Sequence, residues 1–376
     1  MKKDVAAASR KRTKDAALTL EQIRRRAVEA SLMMPTTLPR AIAALGFVQA
    51  DPIRSPARAQ DLILRHRVAN YRAGDLERRF KRLGLEEDYL YAYGFMPEEV
   101  SRLLHPRPDP QGGRFRPTGL AAEVLAFVQE TGTTHPQDLM EQFGKERATN
   151  SWGGFSKATT RALHSLHYYG LLRVARRRDG IRIYEAAPRR EEAFEARERL
   201  RRLLLLVARI LAPLPQKGLR PTLGLLARGA PGLSGMHAAV EALLRTGELE
   251  SGTVDGETYL WPSLAATLDR GATRRKVRFL APFDPIVWDR RRFEHLWGWD
   301  YRFEAYTPSE KRRFGYYAMP LLFGDKVVGW VNLSTAQGRL QVETGFVRTA
   351  PKGRDFRRAF DAEVARMEDF LARSRR

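Results

Sequence analysis

Apolar positions and capping signals mark out helices first. The pattern predicts an opening helix over Leu20–Leu32, with Thr19 as N-cap, Gln22 placed for a capping box and Pro35 closing it. A second helix carries Leu38, Ile42 and Leu45 on its apolar face and stops at Gly46. Residues 47–52 read as a short strand. Ser55 and Pro56 read as the N-cap and first residue of a third helix. Ala59, Leu62, Ile63 and His66 follow helical spacing and face the core, which leaves Arg54, Arg58, Asp61 and Arg65 on the opposite face.

Prolines and glycines crowd residues 105–117, which read as a linker or a long irregular crossing. Helices are expected at 119–131, 136–144 and 156–169, then strands at 171–175 and 181–186 joined by an Asp179-Gly180 turn. That unit recurs. Ala162-Leu163, Gly170-Leu171-Leu172, Asp179-Gly180 and Tyr184 are matched by Ala242-Leu243, Gly247-Glu248-Leu249, Asp255-Gly256 and Tyr259. Helix, glycine, strand, turn and strand in that order make a winged helix, and the repeat implies two in tandem. Residues 20–68 resemble a third more loosely.

The last third alternates differently. Residues 276–280, 301–306, 313–323, 326–335 and 339–347 read as strands, with hairpin turns at Gly324-Asp325 and Gln337-Gly338. A final helix aligns Phe356, Phe360, Val364, Met367 and Leu371 for docking on that sheet. The expected fold class is α+β: tandem winged-helix domains, then a β-rich C-terminal domain with a terminal helix. The expected division is a disordered basic arm at 1–17, an N-terminal winged-helix-like domain with its linker at 18–117, a second winged helix at 118–190, a third at 191–270, and the β-rich domain at 271–376.

Composition narrows the function. The 376 residues carry 66 Lys plus Arg against 44 Asp plus Glu, a net charge of +22. Such an excess points to a polyanionic partner, and nucleic acid fits best because no basic amphipathic helix with an aromatic face appears. Cysteine is absent, which removes disulfides, thiolate metal sites and cysteine nucleophiles. No apolar run reaches the roughly 18 residues of a membrane span, so a cytoplasmic, nucleoid-associated protein is expected.

The two repeats differ in charge. The first wing holds Arg173, Arg176, Arg177, Arg178 and Arg182 against Asp179 and Glu185. The second holds Glu248, Glu250, Asp255 and Glu257 with no Lys or Arg. Phosphate would repel the second wing, which reads as scaffold. Lys157, Arg161, His164 and Tyr168 share the exposed face of the helix that would enter a major groove. Lys311, Arg312 and Arg313 precede Phe314-Gly315-Tyr316-Tyr317, and basic residues beside aromatics suit backbone clamping with base stacking. Arg54, Arg58 and Arg65 complete the candidate DNA contacts.

Candidate chemistry is sparse. Phosphate-cradling loops, a His-Glu-x-x-His metal motif and a Gly-x-Ser-x-Gly elbow are all missing. His164 and His167 alone cannot complete a metal site, and no cofactor is expected. Gln49-Ala50-Asp51 remains. On a strand its first and third residues project to one face, where an amide and a carboxylate could hold one water between them. By spacing alone, polar pairs at strand ends are usually exposed or capping.

Gly46-Phe47-Val48-Gln49-Ala50-Asp51-Pro52-Ile53, with Arg58-Ala59 and Leu62-Ile63-Leu64, resembles the N-terminal motif of the winged-helix DNA glycosylases, the AlkZ/YcaQ family. Phe283 to Arg291, Tyr301 to Glu304 and Lys311 to Tyr317 resemble that family's C-terminal signature. With Gln49 and Asp51 the chain resembles the Gln-x-Asp, YcaQ-like branch of that family. That resemblance implies a monofunctional glycosylase that removes N7-alkylated guanine from double-stranded DNA and unhooks interstrand crosslinks, with Gln49 and Asp51 catalytic. N7-alkylguanine is already cationic and leaves as a neutral purine, so no general acid is needed. The competing reading from the residues is a winged-helix transcriptional regulator without catalysis.

Overall fold

The structure, a computed structural model, describes residues 18–32, 34–144, 147–149, 155–188, 194–263, 275–337 and 339–372. The basic arm at 1–17 lies outside the described residues. The Thr19–Gln22 capping box opens helix Leu20–Ser31, each residue's backbone N–H donating to the other's side chain at 2.8 and 3.2 Å. Helix Leu38–Leu45 ends on Gly46, whose φ of 71° suits a residue without a Cβ. The strand expected over 47–52 pairs only at Val48–Gln49. It joins a three-stranded antiparallel sheet beside Tyr93–Pro97, which in turn pairs with Leu85–Tyr89. Gly94 makes that seat possible, since a Cβ there would collide with the Val48 carbonyl and lie 2.6 Å from the Phe47 ring.

The third helix starts later than Ser55-Pro56 suggests. It spans Ala59–Leu64, with Arg58 in extended conformation as its N-cap. Ala59, Leu62, Ile63 and His66 are buried as expected, but so are Arg58, Asp61 and the Arg65 side chain. The face expected in solvent is covered. Asp61 accepts hydrogen bonds from the Tyr71 hydroxyl and the Gly74 N–H at 2.8 and 2.9 Å, and Arg65 is paired with Glu363 of the last helix.

Helices Leu120–Thr131, Pro136–Phe143 and Ala158–Tyr168 precede the hairpin Leu172–Arg178/Ile181–Ala186. Helices Ala196–Ile210, Gln216–Gly229 and Met236–Arg245 precede the hairpin Leu249–Val254/Glu257–Pro262. Both hairpins turn on Asp-Gly, with φ of 54° and 86° at Asp179 and Gly180, and 49° and 74° at Asp255 and Gly256. The acidic residues of the second hairpin have internal partners. Glu248 is paired with Arg201, Glu257 with Lys217, and Glu250 accepts from the Trp261 indole and the Ser263 hydroxyl.

In the C-terminal part, Val277–Phe279, Met319–Phe323, Lys326–Ala336 and Arg339–Phe346 form a four-stranded antiparallel sheet in that order. Helix Arg354–Ala372 packs on it through Phe356, Met367 and Phe370. Residues 301–306 and 313–318 are not strands. In the second segment a side chain takes backbone donors that a ladder would use: the buried Glu304 carboxylate accepts from the N–H groups of Arg313 at 2.9 Å and Phe314 at 2.8 Å.

Among the described residues, only the 115–184 stretch has a core confined to itself. Another core fuses Leu38 to Phe95 with the C-terminal sheet and last helix, and a third joins Phe47 and Leu90–Leu104 to the 200–260 helices and hairpin. The proline-rich crossing at 105–117 is anchored rather than loose. Arg107 is buried and donates to Gly229 O at 2.7 Å and to Asp88 Oδ1 and Tyr89 O at 3.0 Å. No described helix is long and apolar enough to cross a membrane.

Candidate active site

Gln49 is the last residue of its strand, opposite Gly94. Ala50 continues the pairing by one bond, donating to Tyr93 O at 2.9 Å. The chain then turns. Asp51 Oδ1 accepts from Ile53 N–H at 2.9 Å, an Asx turn that fixes the carboxylate one residue beyond the ladder. The Asp51 carboxylate is therefore placed by this turn and not by strand alternation after Gln49. Ala50 and Ile53 pack on the core shared with the C-terminal sheet, which anchors the turn from below.

Two features mark this turn as chemically unusual. Gln49 Oε1 is buried and has no hydrogen-bond partner, and such an orphaned acceptor costs free energy unless a ligand or water meets it. Desolvation raises the Asp51 pKa from its usual value, while the Ile53 N–H opposes the rise. Only Oδ1 is committed to that N–H.

The C-terminal loop faces this turn. Tyr317 is buried, its hydroxyl also has no partner, and burial followed by the Asp51 charge holds its pKa well above the usual phenol range. Exposed Tyr306 feels burial and then Asp51 in the same direction. Rings of Phe283, Phe303 and Tyr317 pack edge to face, with centroids 5.0 Å apart for Phe283–Phe303 and 5.4 Å for Phe303–Tyr317. Gly315, at φ 117°, lets the loop approach strand Lys326–Ala336, because a Cβ would stand 2.5 Å from the Asn332 amide. Asn332 Nδ2 donates to Phe314 O at 2.6 Å. A cavity of about 490 Å³ lies here, lined in part by Ser55, Tyr316, Tyr317, Asn332 and Glu343. Sequence reading placed Tyr306 and Tyr317 on strands. Their neighbourhood with Asp51 crosses the whole chain, and no local pattern signals it.

The basic residues divide into two groups. Arg58 is paired with Glu77, Arg65 with Glu363, and Arg177 with Glu87 through two bonds of 2.7 and 2.6 Å. Glu87 is itself buried, so these three arginines are structural ties. Arg54, Lys157, Arg161, Arg176, Arg178, Lys311 and Arg313 are exposed. Arg312 is half-buried, donating to Thr307 O at 2.8 Å with its guanidinium 5.1 Å from the Tyr316 ring centre. The first Asp-Gly hairpin approaches two of these arginines: a side chain at Gly180 would meet the Arg58 guanidinium and lie 3.8 Å from that of Arg54. His167 is buried and donates to Glu87 O at 2.9 Å, with burial lowering its pKa to about 4.

Among solved structures, the chain is similar to the Streptomyces sahachiroi DNA glycosylase AlkZ. The TM-score is 0.60 over 95% of this chain and 98% of that chain, at 14% sequence identity. At that identity the likeness speaks for the fold. The family model for AlkZ-like DNA glycosylases matches residues 42–370, a span that includes the Gln49–Asp51 turn, the first Asp-Gly hairpin and the C-terminal aromatic loop. The chain therefore belongs to the AlkZ-like DNA glycosylase family, whose substrate is DNA.

Proposed function

We propose that this protein hydrolyses the N-glycosidic bond of N7-alkylated guanine in double-stranded DNA, and that it unhooks interstrand crosslinks made through that nitrogen. The observation that carries the reading is the orphaned, buried Gln49 Oε1 beside a carboxylate raised by desolvation. Together they describe a seat for one water. Gln49 Oε1 accepts one of its hydrogens and Asp51 the other. As the C1′–N9 bond breaks, its electron pair passes to the purine and cancels the cationic charge. The anionic Asp51 stabilises the oxocarbenium-like sugar, then takes the proton as the water oxygen bonds to C1′. The products are a neutral alkylguanine and an abasic site. No amine adds to C1′ in this scheme, so the enzyme is monofunctional and leaves the strand intact.

We read each three-helix and hairpin unit as a winged helix, in the division 18–117, 118–190 and 191–270, followed by the β-rich part at 271–376. The exposed Arg176 and Arg178 of the first wing, Arg54 beside its turn, and Lys157 and Arg161 on the adjacent helix supply phosphate contacts. Lys311, Arg312 and Arg313 approach from the C-terminal side. The internally paired acids of the second hairpin fit a supporting role. A base-excision role in the cytoplasm, at the nucleoid, follows from this substrate.

The test is incubation with duplex DNA containing N7-methylguanine, then mild alkali to cut abasic sites. Cleavage at the lesion only after alkali supports a monofunctional glycosylase. No abasic product from folded protein overturns the reading.

A further inference from the structure

Tyr306 is 79% exposed, the most exposed of the large apolar or aromatic side chains described. Water-exposed rings of this size are common singly, but this one is held in place. Thr307 N–H donates to Glu304 O at 3.0 Å, and Arg312 Nε donates to Thr307 O at 2.8 Å, so both ends of the short turn are tied. The Tyr306 ring meets Phe303 edge to face at 6.1 Å, and Phe303 packs on Tyr317 and Phe283. The exposed ring thus caps a column of aromatics rooted in the core. Tyr317 of that column lines one cavity with Ser55, four residues beyond Asp51, and Phe283 and Phe303 pack on the same core as Ala50 and Ile53, which flank the Asp51 turn.

Geometry of the reaction then limits what the ring can meet. Under the glycosylase reading, on which this inference rests, Asp51 works at C1′ of the sugar. The purine is one bond away. An exposed ring on a column packed over the Asp51 turn is open to the departing base, and its face is electron-rich toward a cation. We infer that Tyr306 stacks on the alkylated purine and selects its cationic form, making it a specificity-determining residue. Stacking of a base on an aromatic side chain is worth about ten-fold or more on removal.

The test compares wild type, Tyr306→Phe and Tyr306→Leu in single-turnover release from duplexes holding either N7-methylguanine or the neutral base hypoxanthine. Binding to undamaged duplex is measured alongside. At this exposure none of the changes touches the core. The expected result is that Tyr306→Phe retains release of N7-methylguanine. Tyr306→Leu should lose about ten-fold or more, while any hypoxanthine release changes less and undamaged binding stays the same. A leucine can still wedge between base steps, so wild-type release by Tyr306→Leu overturns stacking in favour of a wedge or a bystander. Equal losses with both bases overturn cation selection. Absence of any release by wild type instead refutes the glycosylase reading, and this inference with it.

Discussion

Arg67 grips Asp284 through two hydrogen bonds of 2.8 and 3.0 Å, and neither side chain reaches solvent. Arg67 also donates to Ser31 O, Ser31 Oγ and Ile63 O, while Asp284 caps helix Pro285–Trp288 at Ile286 N–H. The pair joins the first helix, helix Ala59–Leu64 and the C-terminal Phe283-Asp284-Pro285 tract, and so ties the N-terminal part of the chain to the C-terminal part.

Breaking such a pair leaves one buried charge uncompensated. Asp284→Asn should therefore lose about 3–5 kcal/mol of stability, measured by urea unfolding. Arg67→Met combined with Asp284→Leu should recover part of that loss, because removing both charges removes the desolvation cost. A single change with unaltered midpoint would contradict the assigned role.

The first wing separates binding from structure within three consecutive arginines. Arg176→Ala and Arg178→Ala should each flatten the log–log salt dependence of duplex binding by up to about 0.9. Arg177→Ala should leave that slope unchanged and cost about 2 kcal/mol of stability, since it removes two charge-assisted bonds from the buried Glu87, which keeps Tyr93 and Arg182 as partners. Fluorescence anisotropy across a salt series, paired with thermal unfolding, checks both. A flattened slope for Arg177→Ala with wild-type stability would reverse the assignment.

Two buried histidines make the fold acid-sensitive. Burial, reinforced by Arg65, lowers the His66 pKa to about 3, and burial lowers that of His167 to about 4. The unfolded chain binds these protons more readily, with a pKa of about 6.5. The stabilisation is therefore complete above about pH 6.5 and is lost as pH falls toward the folded values. Each histidine should withdraw about 2 kcal/mol between pH 7 and pH 5. His167→Asn should be less stable than wild type at pH 7 but lose less on acidification. An equal loss would place the sensitivity elsewhere.

Much of the scaffold was legible because its signals are local. The Thr19–Gln22 box, the Gly46 stop, the Asp-Gly hairpin turns and the last helix each rest on neighbours within a few residues. The site itself was half legible. Gln49 and Asp51 stood out, yet the strand alternation invoked to pair them ends at Gln49, and an Asx turn completes the arrangement. Tyr301–Tyr306 and Arg313–Ala318 carry strand-like residues, but the Tyr301 N–H turns back to Trp299 O and Glu304 takes the N–H groups of Arg313 and Phe314. Arg58, Arg65 and Arg177 looked like surface charge because Glu77, Glu363 and Glu87 are distant in sequence.

The raised Asp51 pKa has a kinetic consequence. The base must be ionised to work, so single-turnover excision should rise with pH through a limb displaced above the ordinary carboxylate value of about 4. The direction follows from desolvation outweighing the Ile53 N–H. Excision measured between pH 4 and pH 8 checks it. A flat profile over that range would argue against ionisation of Asp51 in the rate-limiting step.

Asp51→Asn preserves shape, keeps an oxygen for the Ile53 N–H and removes only the charge. Single-turnover excision of N7-methylguanine with enzyme in excess, paired with binding of the same duplex, tests the water-and-carboxylate account most directly. The account predicts normal folding, binding equal to wild type or slightly tighter, and excision slower by about 10² or more. Excision at the wild-type rate by the folded variant would contradict it.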